Sequence, residues 1–232
     1  LCYAAHSFAT LAMSGVMETA RVRGIALPQD FLDVFEKANE VYLYAAMPDY
    51  SLPTFSDSYS FSVDVSGFLS ATANSLNRQD FLWFSTRGAR GTEPDHCSYA
   101  WPSAGYYLMR DKWGEDGQYL HFDGAPWGAN HQHEDKLNFC LYANGRQLIA
   151  DPGIYAYSAT ELTHYFKSTR AHNTILIDGC GQARRFFPET KLDQIGRNEW
   201  VRAEHFDFVS SEYLEGFVRN PFGENVSVDE ID

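Results

Sequence analysis

Phe31, Val34, Phe35, Ala38, Val41, Tyr42 and Ala45 recur at three- and four-residue spacings, which puts all seven on one face of a helix. Pro28 suits the first turn of that helix, and Pro48 marks its stop. An earlier segment carries Phe8, Leu11, Ala12, Val16 and Ala20 on one side and ends at Gly24, a residue able to take the left-handed conformation of a C-cap. Together the two segments predict a helical hairpin. From 51 to 91 the pattern becomes irregular, with Pro53, many serines and one short helix expected near 67–76, so the stretch reads as an interdomain connection. Beyond Cys97 the chain turns to short extended runs at 106–110, 118–123, 137–142, 146–151, 174–178 and 200–209. Asn144-Gly145 between two apolar runs is the strongest hairpin signal, with Asp178-Gly179 and Asp116-Gly117 weaker versions. The second half is therefore expected to be antiparallel β, as a sandwich.

Residues 128–135, Gly-Ala-Asn-His-Gln-His-Glu-Asp, gather ligand-capable groups just before one of these strands. If Asn144-Gly145 closes a two-residue hairpin, Asp151 comes opposite Asn138 at the open end, a few residues from His133. His172 likewise stands just before the run 174–178. Two imidazoles and one carboxylate from three strand ends match what zinc or a similar divalent ion requires, with water in the fourth position. The same residues also fit hydrogen-bonded histidines and an aspartate that opens the Asp-Pro-Gly turn, and pattern alone leaves both readings standing. His131, two residues before His133, would point to the same side of an extended chain about 6.5 Å away. Such a ring, beside a metal but not bound to it, suits a substrate carboxylate or a proton transfer near neutral pH; a further metal ligand is its other reading.

The formal net charge of -13 argues against a nucleic-acid or anionic-membrane surface, because phosphate binding relies on clustered Lys and Arg. It also disfavours an anionic glycan on average, so local cations would have to offset it, with Lys167, Arg170, Arg184 and Arg185 as the candidates. Aromatic residues make up 16% of the chain, a richness that suits both a β core and the stacking of sugar rings. Cys2, Cys97, Cys140 and Cys180 form no CxxC pair and are read as small buried residues. No apolar run is long enough for a membrane span. The chain starts at Leu1 without a signal-like stretch and ends on an acidic tail, so it reads as a fragment, which leaves room for a signal peptide before it.

Pro126-Trp127-Gly128 leading into His131-Gln132-His133-Glu134-Asp135, then Leu137-Asn138-Phe139 and Tyr142-Ala143-Asn144-Gly145-Arg146, resembles the start of the heparinase II/III-like domain. Asp151-Pro152-Gly153 with Tyr155 and Tyr157, Tyr165-Phe166-Lys167-Ser168-Thr169, Ala171-His172-Asn173-Thr174, Asp178-Gly179 and Gln182 continue the likeness in the same order. Gly105-Tyr106-Tyr107, Met109-Arg110 and Trp113 extend it upstream, and Leu27-Pro28, Pro53 and Asp57-Ser58 are similar to the last helices of that family's toroid. The resemblance implies an α+β multidomain chain: residues 1–90 closing an (α/α) toroid and its linker, and residues 91–232 forming an antiparallel β-sandwich truncated at its C-terminus. It further implies a lyase that cleaves uronic-acid polysaccharides by β-elimination in a cleft between the two. A base removes the C5 proton, the carboxylate is neutralised, and an acid protonates the departing oxygen at C4.

Carried over residue by residue, His131 matches the family's catalytic histidine, while His133, Asp151 and His172 match its ligands to a metal, usually Zn2+. A toroid tyrosine acts as base or acid there, and Tyr3 with His6 a turn later is the candidate, although Ala4 and Ala5 separate a pair that the family keeps adjacent. Asn130 stands where glycine is common before the catalytic histidine, and the carboxylate-neutralising pair lies upstream of Leu1. The implied partner is an acidic polysaccharide or oligosaccharide, with a homodimer left open, and the implied location is periplasmic or secreted in a bacterium. Two other classes compete. A cupin-like metal enzyme also uses HxH on a strand, but its carboxylate follows several residues later, whereas Glu134 adjoins His133. A non-catalytic carbohydrate-binding sandwich would use the metal structurally.

Overall fold

The computed structural model describes residues 2–59, 64–128, 131–183 and 198–219, with the short strand Val228–Asp229 beyond them. Two helices open the chain, α1 (Tyr3–Arg23) and α2 (Gln29–Ala45), followed by two shorter ones, α3 (Ser66–Ala73) and α4 (Gln79–Ser85). Gly24 caps α1 in the left-handed conformation (φ 64°), and its N–H closes onto Ala20 and Arg21. Pro28 sits one residue earlier than expected, at the N-cap of α2.

The strands β1 (Tyr99–Trp101), β2 (Tyr106–Arg110), β3 (Tyr119–Asp123), β4 (Asn138–Ala143) and β5 (Arg146–Ile149) form one antiparallel meander in chain order. The Asn144-Gly145 turn has both residues at positive φ (55° and 72°), the conformation whose twist suits a two-residue hairpin. Pairing follows the expected register at Ala143↔Arg146 and Tyr142↔Gln147, then shifts by one at Leu141↔Ile149. A helix α5 (Glu161–Lys167) and a 3-10 turn (Thr169–Ala171) lead to β6 (Gly181–Gln182). β7 (Glu199–Arg202) and β8 (Asp207–Ser210) form a separate hairpin, and β9 (Phe217–Val218) joins β6 to β10 (Val228–Asp229).

Helices and meander share one core. Tyr42, Leu43, Ala45, Phe55, Leu69 and Phe81 pack with Leu108, Tyr119, Cys140 and Tyr142 in a single buried cluster. The seam is also polar: Nη2 of the buried Arg110 donates to the carbonyls of Ala46 (2.6 Å) and Tyr44 (3.3 Å), and the Tyr119 hydroxyl donates to Ala45 (2.8 Å). These carbonyls end α2 and have no partner within the helix, so the sheet completes the helix end.

Three expectations change. The run 174–178 is a tight turn at Asp178-Gly179 with a single bridge, Ile177↔Cys180, rather than a strand. The run 200–209 is a hairpin, because its middle turns at Ala203–Phe206. The apolar stripe of α1 faces outward, with Phe8, Leu11 and Val16 exposed, while Tyr3, Thr10 and Ala20 are buried. In α2 the buried side is Phe35, Asn39 and Tyr42–Ala45, and Val34 is exposed. Cys140 and Cys180 are buried as expected, Cys2 and Cys97 only half so.

Candidate active site and metal centre

Three remote stretches meet at the end of β4 opposite its turn: the linker at Asp57, the loop 131–136, and the segment 151–172. The loop is held by long-range bonds. Leu137 N–H reaches the Asp123 carbonyl (2.7 Å), Glu134 N–H reaches that of Lys167 (3.1 Å), and the Gln182 side chain bonds both the N–H (2.8 Å) and the carbonyl (2.7 Å) of Lys136. Asn138 accepts from the Asn173 N–H (3.1 Å) and donates to Asp151. The expected nearness of Asp151 and Asn138 is thus made by their side chains, two residues past the last ladder pair. Gly153, at φ 64°, passes so close to the linker that an added Cβ would lie 2.1 Å from the Ser58 carbonyl, so only glycine fits there.

His131 and His133 differ sharply in surroundings. The His131 side chain is 46% exposed and that of His133 is 0%. Both rings bond one carboxylate: His131 Nδ1 lies 2.9 Å from Asp57 Oδ2, and His133 Nε2 lies 2.9 Å from Asp57 Oδ1. Lys167 Nζ is 3.1 Å from the same Oδ1. Burial alone would raise the Asp57 pKa, but the bonds from His133, His131 and Lys167 outweigh it and hold the value down at about 2.

His172 places Nδ1 2.7 Å from Asp151 Oδ2. An ionised carboxylate only accepts, so each ring donates through the nitrogen facing it and keeps a lone pair on the other. Those other nitrogens, His133 Nδ1 and His172 Nε2, are buried without a hydrogen-bond partner. Ligand atoms of His133, His172 and Asp135, one from each, lie within 4.8 Å of one another. Two buried imidazoles and a carboxylate are a donor set that fits a divalent cation, with Asp57 and Asp151 bonded to the two rings.

Two aspartates stand beside the pair of rings. Asp135 groups with His133 and His172, while Asp151, the expected third ligand, bonds His172, Asn138 and the Gly153 N–H (2.8 Å). A hairpin end determines which residues are near, not which oxygen faces which nitrogen. Asp135 lay in view within the motif; Asp57 was visible only in the Asp57-Ser58 likeness to the family's helices, with nothing to mark it as a partner of the histidines.

Tyr3 lies buried, with its hydroxyl 3.3 Å from Nδ1 of the buried His121 and its N–H on Ser58 Oγ (3.0 Å). Burial pushes its pKa well above the usual tyrosine value. His6 bonds the Ala38 carbonyl (2.8 Å) rather than acting beside Tyr3. Tyr157 lies beside His131, an exposed side chain whose hydroxyl is 3.5 Å from His131 Nδ1 and whose pKa is raised to about 12, chiefly by desolvation and then by the Asp57 charge. Of the expected cations, Lys167 faces Asp57 and Arg170 bonds the Gly179 carbonyl (2.8 Å), while Arg184 and Arg185 lie outside the described residues.

The model described as Heparinase II/III-like, C-terminal, matches residues 93–223, and that of the Heparinase II/III N-terminus matches residues 1–80. The chain belongs to the heparinase II/III family. A heparin-sulfate lyase of Pedobacter heparinus is 26% identical over 192 residues, which cover 79% of this chain and 28% of that protein. A heparin-sulfate lyase of Bacteroides stercoris is 27% identical over 157 residues, 65% of this chain and 24% of that protein. The crystal structure of the Pedobacter heparinus heparan sulfate lyase superposes with a TM-score of 0.73 at 24% identity over 95% of this chain and 33% of that one, a likeness of fold. This heparinase II/III chain thus spans roughly a quarter of the length of the curated relatives it matches. Among its described residues no helix is long and apolar enough to cross a membrane.

Proposed function

We propose that the protein carrying this chain is a polysaccharide lyase that cleaves a uronic-acid glycosaminoglycan by β-elimination, with His131 facing the sugar. The observation that carries this reading is the split between the two histidines: one ring half-exposed with Nδ1 on Asp57, the other wholly buried and grouped with His172 and Asp135. Family membership and the names of the relatives supply the reaction class. In this reading His131 Nε2 takes or returns a proton, or as the imidazolium contacts the uronate carboxylate whose charge must be offset before C5 gives up its proton. Tyr157 lies beside His131, its hydroxyl 3.5 Å from Nδ1, whereas the buried Tyr3 hydroxyl lies 3.3 Å from His121, so Tyr157 joins Tyr3 as a candidate proton-transfer partner. Lys167 and Arg170 add positive charge on this side of an otherwise acidic chain. A zinc-type ion would be held by His133 and His172 with Asp135, and would brace the loop 131–136 against the segment 151–172. The toroid-and-sandwich arrangement, and a periplasmic or secreted location, belong to the same proposal.

The test is to assay the full-length protein on a panel of acidic polysaccharides, following the ultraviolet absorbance of the unsaturated uronate, together with metal content. Wild type should release the unsaturated product, and His131→Ala should stop turnover while the metal stays. Equal loss of metal from His131→Ala and His133→Ala would overturn the division of roles. A wild-type protein that binds glycan yet yields no unsaturated product would be the carbohydrate-binding sandwich instead.

A further inference from the structure

Asp57 is the point where the helical side of the chain touches both histidines, and four bonds converge on it. Its carboxylate is almost wholly buried, takes His131 Nδ1 on one oxygen, and takes His133 Nε2 and Lys167 Nζ on the other. Its backbone N–H donates to the His131 carbonyl (3.1 Å). His131 itself sits at φ 73°, a left-handed backbone that a non-glycine residue keeps only when its surroundings impose it. Main chain and side chain of one linker residue therefore hold both the strained backbone and the ring of His131.

We infer that Asp57 is a positioning residue that sets the tautomer and orientation of His131 for reaction, and ties that ring to the metal-facing His133 through a shared carboxylate. The inference rests on the lyase reading for its effect on rate, but not for its effect on the ring. With Nδ1–H directed to Asp57, the His131 lone pair is confined to Nε2, the edge open to a ligand. The same carboxylate makes His133 donate from Nε2 and so present Nδ1 to the buried cluster. One acceptor thus selects opposite nitrogens on the two rings, which is what different tasks for neighbouring histidines require. Lys167 keeps the site from carrying an uncompensated buried charge.

The experiment compares wild type, Asp57→Asn, Asp57→Ala and Asp57→Glu in the full-length protein, measuring kcat, KM, bound metal, and the ring N–H resonances of 15N-histidine-labelled protein. Asp57→Asn should lower kcat by about 100-fold at saturating metal while KM moves by less than about threefold, because a misoriented ring costs transition-state rather than ground-state contacts; metal affinity should weaken by about 10–100-fold through His133. Asp57→Glu should restore part of kcat, and the Nδ1–H resonance of His131 should be present in wild type and lost in Asp57→Ala. Wild-type kcat in Asp57→Asn would overturn the inference, as would full recovery of kcat on saturation with metal, since Asp57 would then serve only the buried cluster. If wild type yields no unsaturated uronate, the lyase reading fails alone, and the resonance decides: its loss on substitution supports positioning by Asp57, and its absence from wild type overturns it.

Discussion

The aromatic core and the polar cluster at the end of β4 are both dry, yet they are built on opposite principles. In the core, Leu43, Phe55, Leu69, Phe81 and Tyr119 are nearly or wholly inaccessible and hold through shape and area, so each contributes by displacing water. In the cluster, His133, Glu134, Asp135, Lys136, Asn138 and Asp151 are equally inaccessible, but they are polar and hold through directed bonds spanning up to 76 residues of sequence. A core tolerates a substitute of similar volume. A buried polar network does not, because removing one partner strands another. The comparison teaches where function can reside: the core fixes the positions of the strand ends, and the cluster uses that rigidity to aim nitrogens.

The sharpest way to break this contrast is His131→Ala, which should reduce turnover by about a thousandfold or more, within the range general acid–base groups supply, without moving the unfolding midpoint appreciably. Leu43→Ala should do the reverse. It should cost about 2–5 kcal/mol of stability in a denaturant titration, with metal bound per folded molecule unchanged. Asp135→Asn and Asp151→Asn sharpen the metal assignment: loss of the ligand should abolish metal retention on dialysis, whereas loss of the residue orienting His172 should weaken affinity by about 10–100-fold. The structure expects Asp135→Asn to show the larger effect, and the opposite order would make Asp151 the direct ligand. The smallest effect concerns pH. Burial lowers the pKa of His121 well below 6.5 and also lowers that of His6. The unfolded chain therefore binds protons that the fold excludes, so the stability from these two rings is present above pH 6.5 and is lost as pH falls below it. Unfolding midpoints measured between about pH 8 and 5 should decline, and His121→Gln should flatten that slope.

Local periodicity was a good guide wherever one face of an element met one neighbour. Gly24, the Asn144-Gly145 turn, the strands at 106–110 and 118–123, and the short helix near 67–76 all correspond to observed elements. It was a poor guide on α1, where Phe8, Leu11 and Val16 of the stripe point outward and only Ala20 of it is buried, beside the polar Thr10 and Tyr3 that the stripe omitted, because amphipathicity shows which face is apolar and not which neighbour is near. The run 200–209 read as one strand because alternation continues through a turn that lacks glycine and proline. At the site, His131, His133 and His172 were legible from their motif and its family, and so was the proximity of Asp151 to Asn138. The role of Asp57 was not, since the Asp57-Ser58 likeness placed it among the family's helices and only the fold brings it across 74 positions to His131.

What the chain determined by itself was the order of its elements, the position of its hairpin and the identity of its chemical groups, because turn chemistry, side-chain period and titratable type are properties of neighbouring residues. The tertiary structure alone decided which histidine is exposed, which nitrogen of each ring meets a carboxylate, and that Asp57 reaches both His131 and His133. Those outcomes depend on directions of a few ångströms between segments far apart in sequence, and directed contacts of that kind exist only once the backbone has closed around them.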